Sequence, residues 1–138
     1  MVNHRNTLQI IENQDLGMLD MILSRDADLK LNVIYNHWTP LSYAVSCEWY
    51  EGVELMLKRG ANPNMTDDSG NTPLHFTACN ETTNIAGLLL DNGSNQFIKN
   101  NKGHTVADYA IGYGNNNRNL YELLMTFRSN DKISNSEK

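Results

Sequence analysis

Long apolar runs are missing from this sequence. None approaches the ~20 residues needed to cross a bilayer, so no membrane-spanning helix is expected. The stretch up to Lys30 is broken by polar residues every few positions and offers no apolar core for an export signal. Cysteine is scarce. Cys47 and Cys79 stand alone in a chain without an evident export signal and read as reduced thiols, which makes the cytoplasm the expected location. Basic charge is short as well: 11 Lys and Arg face 16 Asp and Glu, for a net charge of −5. Nucleic acid and anionic membranes are poor partners for such a chain, because phosphate contacts need clustered Lys and Arg. Proline occurs three times in 138 residues, which makes its placement informative.

Two of those prolines fall in Thr39-Pro40-Leu41 and Thr72-Pro73-Leu74, 33 positions apart, and a degraded copy begins at Thr105. Gly60-Ala61-Asn62-Pro63-Asn64 takes the same step to Gly93-Ser94-Asn95. Two unrelated punctuation motifs on one period indicate a stack of similar units, each too small to bury its apolar face alone. The threonines are placed to N-cap helices, with Pro40 and Pro73 at the first helical position, where a missing N–H costs nothing. Leu41 with Ala44, and Leu74 with Ala78, give each short inner helix a narrow apolar stripe. A second helix follows in each unit, carried by Val53, Met56 and Leu57, by Ile85, Ala86, Leu89 and Leu90, and by Leu120, Leu123 and Leu124. Gly60 and Gly93 sit where a left-handed residue would end these helices. The polar stretches 62–71 and 95–104 carry Gly70 and Gly103 and predict protruding hairpin-like turns.

These motifs together resemble the ankyrin-repeat family. The best match runs from Asp68-Ser69-Gly70-Asn71-Thr72-Pro73-Leu74-His75 through Leu89-Leu90 to Gly93-Ser94-Asn95. The resemblance implies an all-α solenoid of about four helix-turn-helix repeats with hairpin-like loops. The expected repeats are 4–35, 36–68, 69–101 and 102–127 in a domain covering 1–127, with a polar, disordered tail at 128–138. Several positions depart from the family pattern. The first loop is one residue longer, near Val33 to Tyr35. The family histidine is replaced by Ser42 and Asp108 and kept at His75, so its inter-repeat bond is expected only there. Glu48 and Glu81 stand where a glycine usually turns the inner helix into the outer one, and only Gly114 keeps that residue. Phe97 replaces the asparagine found at Asn64.

No catalytic or metal pattern emerges. The sequence holds no metal-ligand spacing, no phosphate loop and no nucleophile elbow, and His37 and His104 lie two units apart, roughly 20 Å at ~8–10 Å per packed helix. A non-catalytic protein without cofactor or metal is expected. The resemblance implies a binding surface on the hairpin tips and inner-helix ends: Tyr35, Trp38, Cys47, Glu48, Trp49, Asp67, Asp68, Asn71, Asn80, Glu81, His104 and Tyr113. Trp38 is the expected anchor, since it precedes the capping Thr39 and tryptophan is enriched in interface hot spots; the alternative folds it over the long first loop with Tyr35. Trp49 is open between packing and contact. Tyr50, Tyr109 and Tyr121 are expected at the core edge, and Met18, Met21 and Met56 as outer-helix packing. Between Leu31 and Ile98 seven acids oppose two bases, so the excess negative charge sits on the middle units. A basic protein partner follows as the expectation, a merely solvated face as the alternative. The small size and the Asn-rich, Pro-poor style resemble bacterial ankyrin proteins and suggest an autonomous inhibitor, such as an immunity protein for a toxin. A secreted effector or adaptor and a regulatory subunit are the rival expectations, and a monomer is the default.

Overall fold

The computed structural model describes residues 4–79, 82–112 and 117–136. Four inner helices, α1 (His4–Glu12), α4 (Pro40–Ser46), α6 (Pro73–Phe76) and α8 (Val106–Ala110), alternate with four outer ones. The outer set is α2 (Leu16–Leu23), α5 (Tyr50–Lys58), α7 (Thr83–Asp91) and α9 (Arg118–Ser136), and a short α3 (Ala27–Leu31) follows α2. Each inner helix packs on the next, α1 on α4, α4 on α6 and α6 on α8, while the outer helices do the same behind them. The core is one continuous seam through all four pairs, from Ile11 and Leu19 through Leu41, Val53 and Met56 to Leu89, Leu120 and Leu124. Neither layer could bury its stripe without its neighbours.

The repeated threonine caps one inner helix after another, with a different partner each time. Thr39 Oγ1 accepts the Ser42 N–H at 3.1 Å, and Thr105 N–H donates to Asp108 Oδ2 at 2.9 Å. In the middle unit the Thr72 N–H donates to His75 Nδ1 at 3.0 Å, and the far side of that ring, Nε2–H, reaches the His104 carbonyl at 3.0 Å. Of Ser42, His75 and Asp108, which share this position, His75 is the one that bonds across to the next unit, as the resemblance implied.

The outer helices end as the glycines predicted. Ala61 N–H bonds to Met56 O and Gly60 N–H to Leu57 O, and the pattern repeats with Ser94, Leu89, Gly93 and Leu90. Gly60 and Gly93 take φ of +98° and +96° at these ends. The inner helices α1 and α4 close with the same pair of bonds but without glycine. Glu48 takes φ +58° and Gln14 φ +53° at the matching positions, so the turn keeps its shape and a residue with a Cβ bears the cost.

Two expectations need correction. The tail expected to be disordered from Arg128 begins inside α9, which runs on to Ser136. Met18 and Met21 do not pack as Met56 does: they stand 40% and 63% exposed, against 0% for Met56.

Candidate functional site

Three fingers project between the helix pairs, and their chemistry differs. In the second and third fingers an Asx residue organises the turn. Asp67 Oδ1 accepts the N–H groups of Ser69 (2.9 Å) and Asn71 (3.0 Å), and Asn100 Oδ1 accepts those of Lys102 (3.0 Å) and His104 (3.1 Å). The matching residue of the first finger is Ile34, which has no acceptor. There the chain makes a tighter two-residue turn instead, with Tyr35 and Trp38 exchanging both backbone bonds and Asn36 and His37 at φ +52° and +74°. Neighbouring fingers are stitched at their tips. His37 pairs with Asp68, and Asn101 bonds through its N–H to Ser69 O and through its side chain to Asp68 O.

The tight first turn separates its two aromatics. Tyr35 is only 4% exposed, its hydroxyl donating to the Lys30 carbonyl at 2.9 Å, and burial pushes its pKa up. It is a pillar under α3 and cannot be the surface contact expected of it. Trp38 turns the other way. Its ring lies edge-on to Tyr43 (5.3 Å between centroids) and tilted against Phe76 (5.1 Å), and all three remain half-buried. The indole thus bridges α4 and α6 on their open side.

Tyr43, Phe76 and Tyr109 stand 33 residues apart, and form one aromatic rung in each of the last three units. Before two of the three capping threonines the preceding residue leans on its rung: Trp38 on Tyr43, and His104 on Tyr109, edge-on at 5.2 Å with His104 Nδ1 3.0 Å from the hydroxyl. Asn100 Nδ2 joins Asn71 Oδ1 and the Tyr109 hydroxyl, each at 2.9 Å, across a cleft of about 240 Å³ that Asp68, Ser69 and Lys102 help to line. The sequence reading missed Tyr43 and Phe76. Their common 33-residue spacing with Tyr109 was the signal that could have found them.

The remaining expected residues divide. Trp49 is 4% exposed, so contact is overturned in favour of packing: its ring fills the place that a Cβ on Gly52 would need. Glu48 is exposed at the end of α4, and Cys47 beside it is half-buried. Burial pushes the Cys47 thiol up, a bond from Ser46 opposes this, and nearby Glu12 adds to the rise, so the group stays protonated and unreactive at neutral pH. Asp67 is committed to its finger, and Asp68 to His37. Asn80, Glu81 and Tyr113 lie outside the described residues. Among the described residues no group of three His, Cys, Asp or Glu could hold a metal ion, and no helix is long and apolar enough to cross a membrane.

Comparison with known proteins gives the arrangement its relatives. A family model described as ankyrin repeats in three copies matches residues 50–135, and one described as ankyrin repeats in many copies matches 22–76. An ankyrin repeat protein of fowlpox virus, FPV219, is 33% identical over 86 residues, covering 62% of this chain and 20% of its own length. A second fowlpox protein, FPV031, is 27% identical over 137 residues, covering 96% of this chain and 40% of its own. The neurogenic locus notch homolog protein 1 of Danio rerio is 35% identical over 85 residues, covering 62% of this chain and 3% of its own. The chain spans well under half the length of each of these relatives.

Proposed function

Because this chain belongs to the ankyrin-repeat family, whose stacked units are protein–protein interaction modules, we propose that it grips a basic partner protein along its fingers and inner helices. The observation that carries this reading is the half-buried cluster of Trp38, Tyr43 and Phe76 bridging two units. Rings held against one another lose little rotamer freedom on binding and offer a large amphipathic contact. Around them the acids are unbalanced: Glu12 and Glu48 are exposed beside α4, and the middle units carry the chain's whole excess of negative charge. An arginine side chain suits such a place, stacking on a ring while pairing with a carboxylate. Cys47, Asn71 and His104 border the contact, with Asn80, Glu81 and Tyr113 as further candidates.

Binding of this kind works by occlusion, and the narrower reading is an inhibitor that neutralises a basic protein such as a toxin. The net charge of −5 and the aromatic surface support it. Affinity capture with the immobilised chain tests the site. A basic partner retained at low salt should be lost from Trp38→Ala and Phe76→Ala and retained by Glu54→Lys on the outer helix. Capture that survives both aromatic truncations puts the site elsewhere.

A further inference from the structure

The binding surface changes chemistry within one repeat. Trp38 and Asn71 hold the same place in successive units, 33 positions apart, each just before a capping threonine. Trp38 reaches forward to Phe76 of the next unit, and Asn71 meets Asn100 in the same way. An aromatic bridge thus gives way to a polar one. The fingers change sign in the same step. The second, 62–71, carries Asp67 and Asp68 and no base, whereas the third, 95–104, carries Lys99 and Lys102 and no acid. Both acids are engaged, Asp67 by its own turn and Asp68 by His37 of the first finger. Neither lysine forms an ion pair with a described residue.

The cleft between these two fingers is walled by an amide of fixed orientation. Asn100 is 7% exposed, and its Oδ1 accepts the backbone N–H groups of Lys102 and His104. A backbone N–H cannot accept in return, so this amide cannot be flipped and its Nδ2 must face Asn71 and Tyr109. Asn71 answers with its oxygen, which leaves its own Nδ2 without a partner among the described residues. Asn71, Lys102 and Ser69 all line the opening. Amide, ammonium and hydroxyl are all donors. The one acid on the rim, Asp68, has its carboxylate drawn toward His37.

We propose that this cleft takes a carboxylate of the partner, an Asp or Glu side chain held by Lys102 Nζ and Asn71 Nδ2. The site rests on the reading of this surface as a protein-binding one and adds a register to it. One repeat, ~10 Å, separates the cleft from the Trp38 cluster, a distance that extended chain covers in about three residues. The partner segment therefore carries a basic residue for the rings and an acid about three positions from it. A single ammonium among neutral donors suits a carboxylate, whereas phosphate groups call for clustered arginines.

Amide NMR spectra of the isotope-labelled whole chain, at fixed pH and ionic strength, test the site with N-acetylglutamate amide as the probe and its glutamine counterpart as the neutral control. The glutamate derivative is expected to shift the Asn71 side-chain N–H groups and the Ser69 and Lys102 amides saturably, and the glutamine derivative to leave them in place. Lys102→Gln should abolish the shifts with thermal unfolding unchanged, since that side chain is exposed, and Lys99→Gln, outside the cleft, should retain them. Equal shifts from both derivatives, shifts that survive Lys102→Gln or vanish in Lys99→Gln, or no shifts at all overturn the site. Of the capped peptides Arg-Ser-Ser-Glu and Glu-Ser-Ser-Arg, one is expected to bind about tenfold more tightly than its glutamine version; equal affinity in both pairs overturns the register. N-acetylarginine amide reports separately on the Trp38 indole N–H, so the aromatic site and the carboxylate site can fail independently.

Discussion

Glu48 shows what a single residue can cost without changing the fold. It sits at φ +58°, in a helix-ending position that asks for glycine, and keeps the turn closed through the Glu48 and Trp49 N–H bonds to Val45 and Ala44. Left-handed backbone costs a residue with a Cβ roughly 1–2 kcal/mol, partly offset by the entropy a glycine would lose. Glu48→Gly is therefore expected to stabilise the chain by about 0.5–1 kcal/mol in urea melts. Gly52 presents the opposite case. Alanine is the better helix former by up to about 1 kcal/mol, yet its methyl would meet the buried Trp49 ring. Gly52→Ala should destabilise by about 1–3 kcal/mol, as overpacking does. A rise in stability would show that Trp49 can move aside. Neither outcome could be read from composition: aromatic residues serve cores and surfaces alike, so a contact role was expected of Tyr35 and Trp38 and left open for Trp49 until their turns fixed which way each ring faced.

At the scale of the element, the inner helices α4, α6 and α8 share one cap and differ in what closes it. The neutral His75 ring accepts from Thr72 N–H and donates to the His104 carbonyl, which allows only the Nε2–H tautomer. Burial lowers the His75 pKa, against smaller raising effects from the His104 carbonyl bond, Asp67 and Asp108. A histidine depressed in the folded state binds more protons when unfolded, so its contribution is intact above about pH 6.5 and is lost as pH falls below that value. The stability of the wild type should decline on acidification through this range, and His75→Ser, which copies Ser42, should flatten the slope. Ser42 itself is buried with its hydroxyl unpartnered, and Ser42→Ala is expected to be neutral or stabilising by up to about 1 kcal/mol in the same melts.

The helix pairs were legible because two independent motifs, Thr-Pro-Leu and the glycine-led loop, shared one period. The extent of α9 was not: its polar second half has no apolar stripe to announce a helix. The aromatic ladder escaped notice for a different reason. Tyr109 was read singly, as a core-edge residue, and Tyr43 and Phe76 not at all, whereas the meaning of all three lies in recurrence at one position of the unit. Phe97 became intelligible only in the structure. Asn64 bonds forward to Gly93 O and Asn95 N–H in the next unit, but beyond Phe97 stands a long helix with Arg128, and the ring takes that cation instead.

Over the whole molecule, stitched fingers and continuous inner helices make one surface, aromatic where units two and three meet and polar where units three and four meet. A basic partner should bind more slowly as salt is raised, because exposed charges beyond about 10 Å are screened at 0.1 M, while Trp38→Ala should act mainly on dissociation, costing about 2 kcal/mol or more if it is the anchor. The most direct test uses the two tryptophans, of which Trp49 is sealed and Trp38 half-open. Acrylamide quenching should reveal one accessible indole in the free chain, absent from Trp38→Phe, and saturation with a captured basic partner should protect it. Quenching that is unchanged at saturation would mean that the partner sits on some other face.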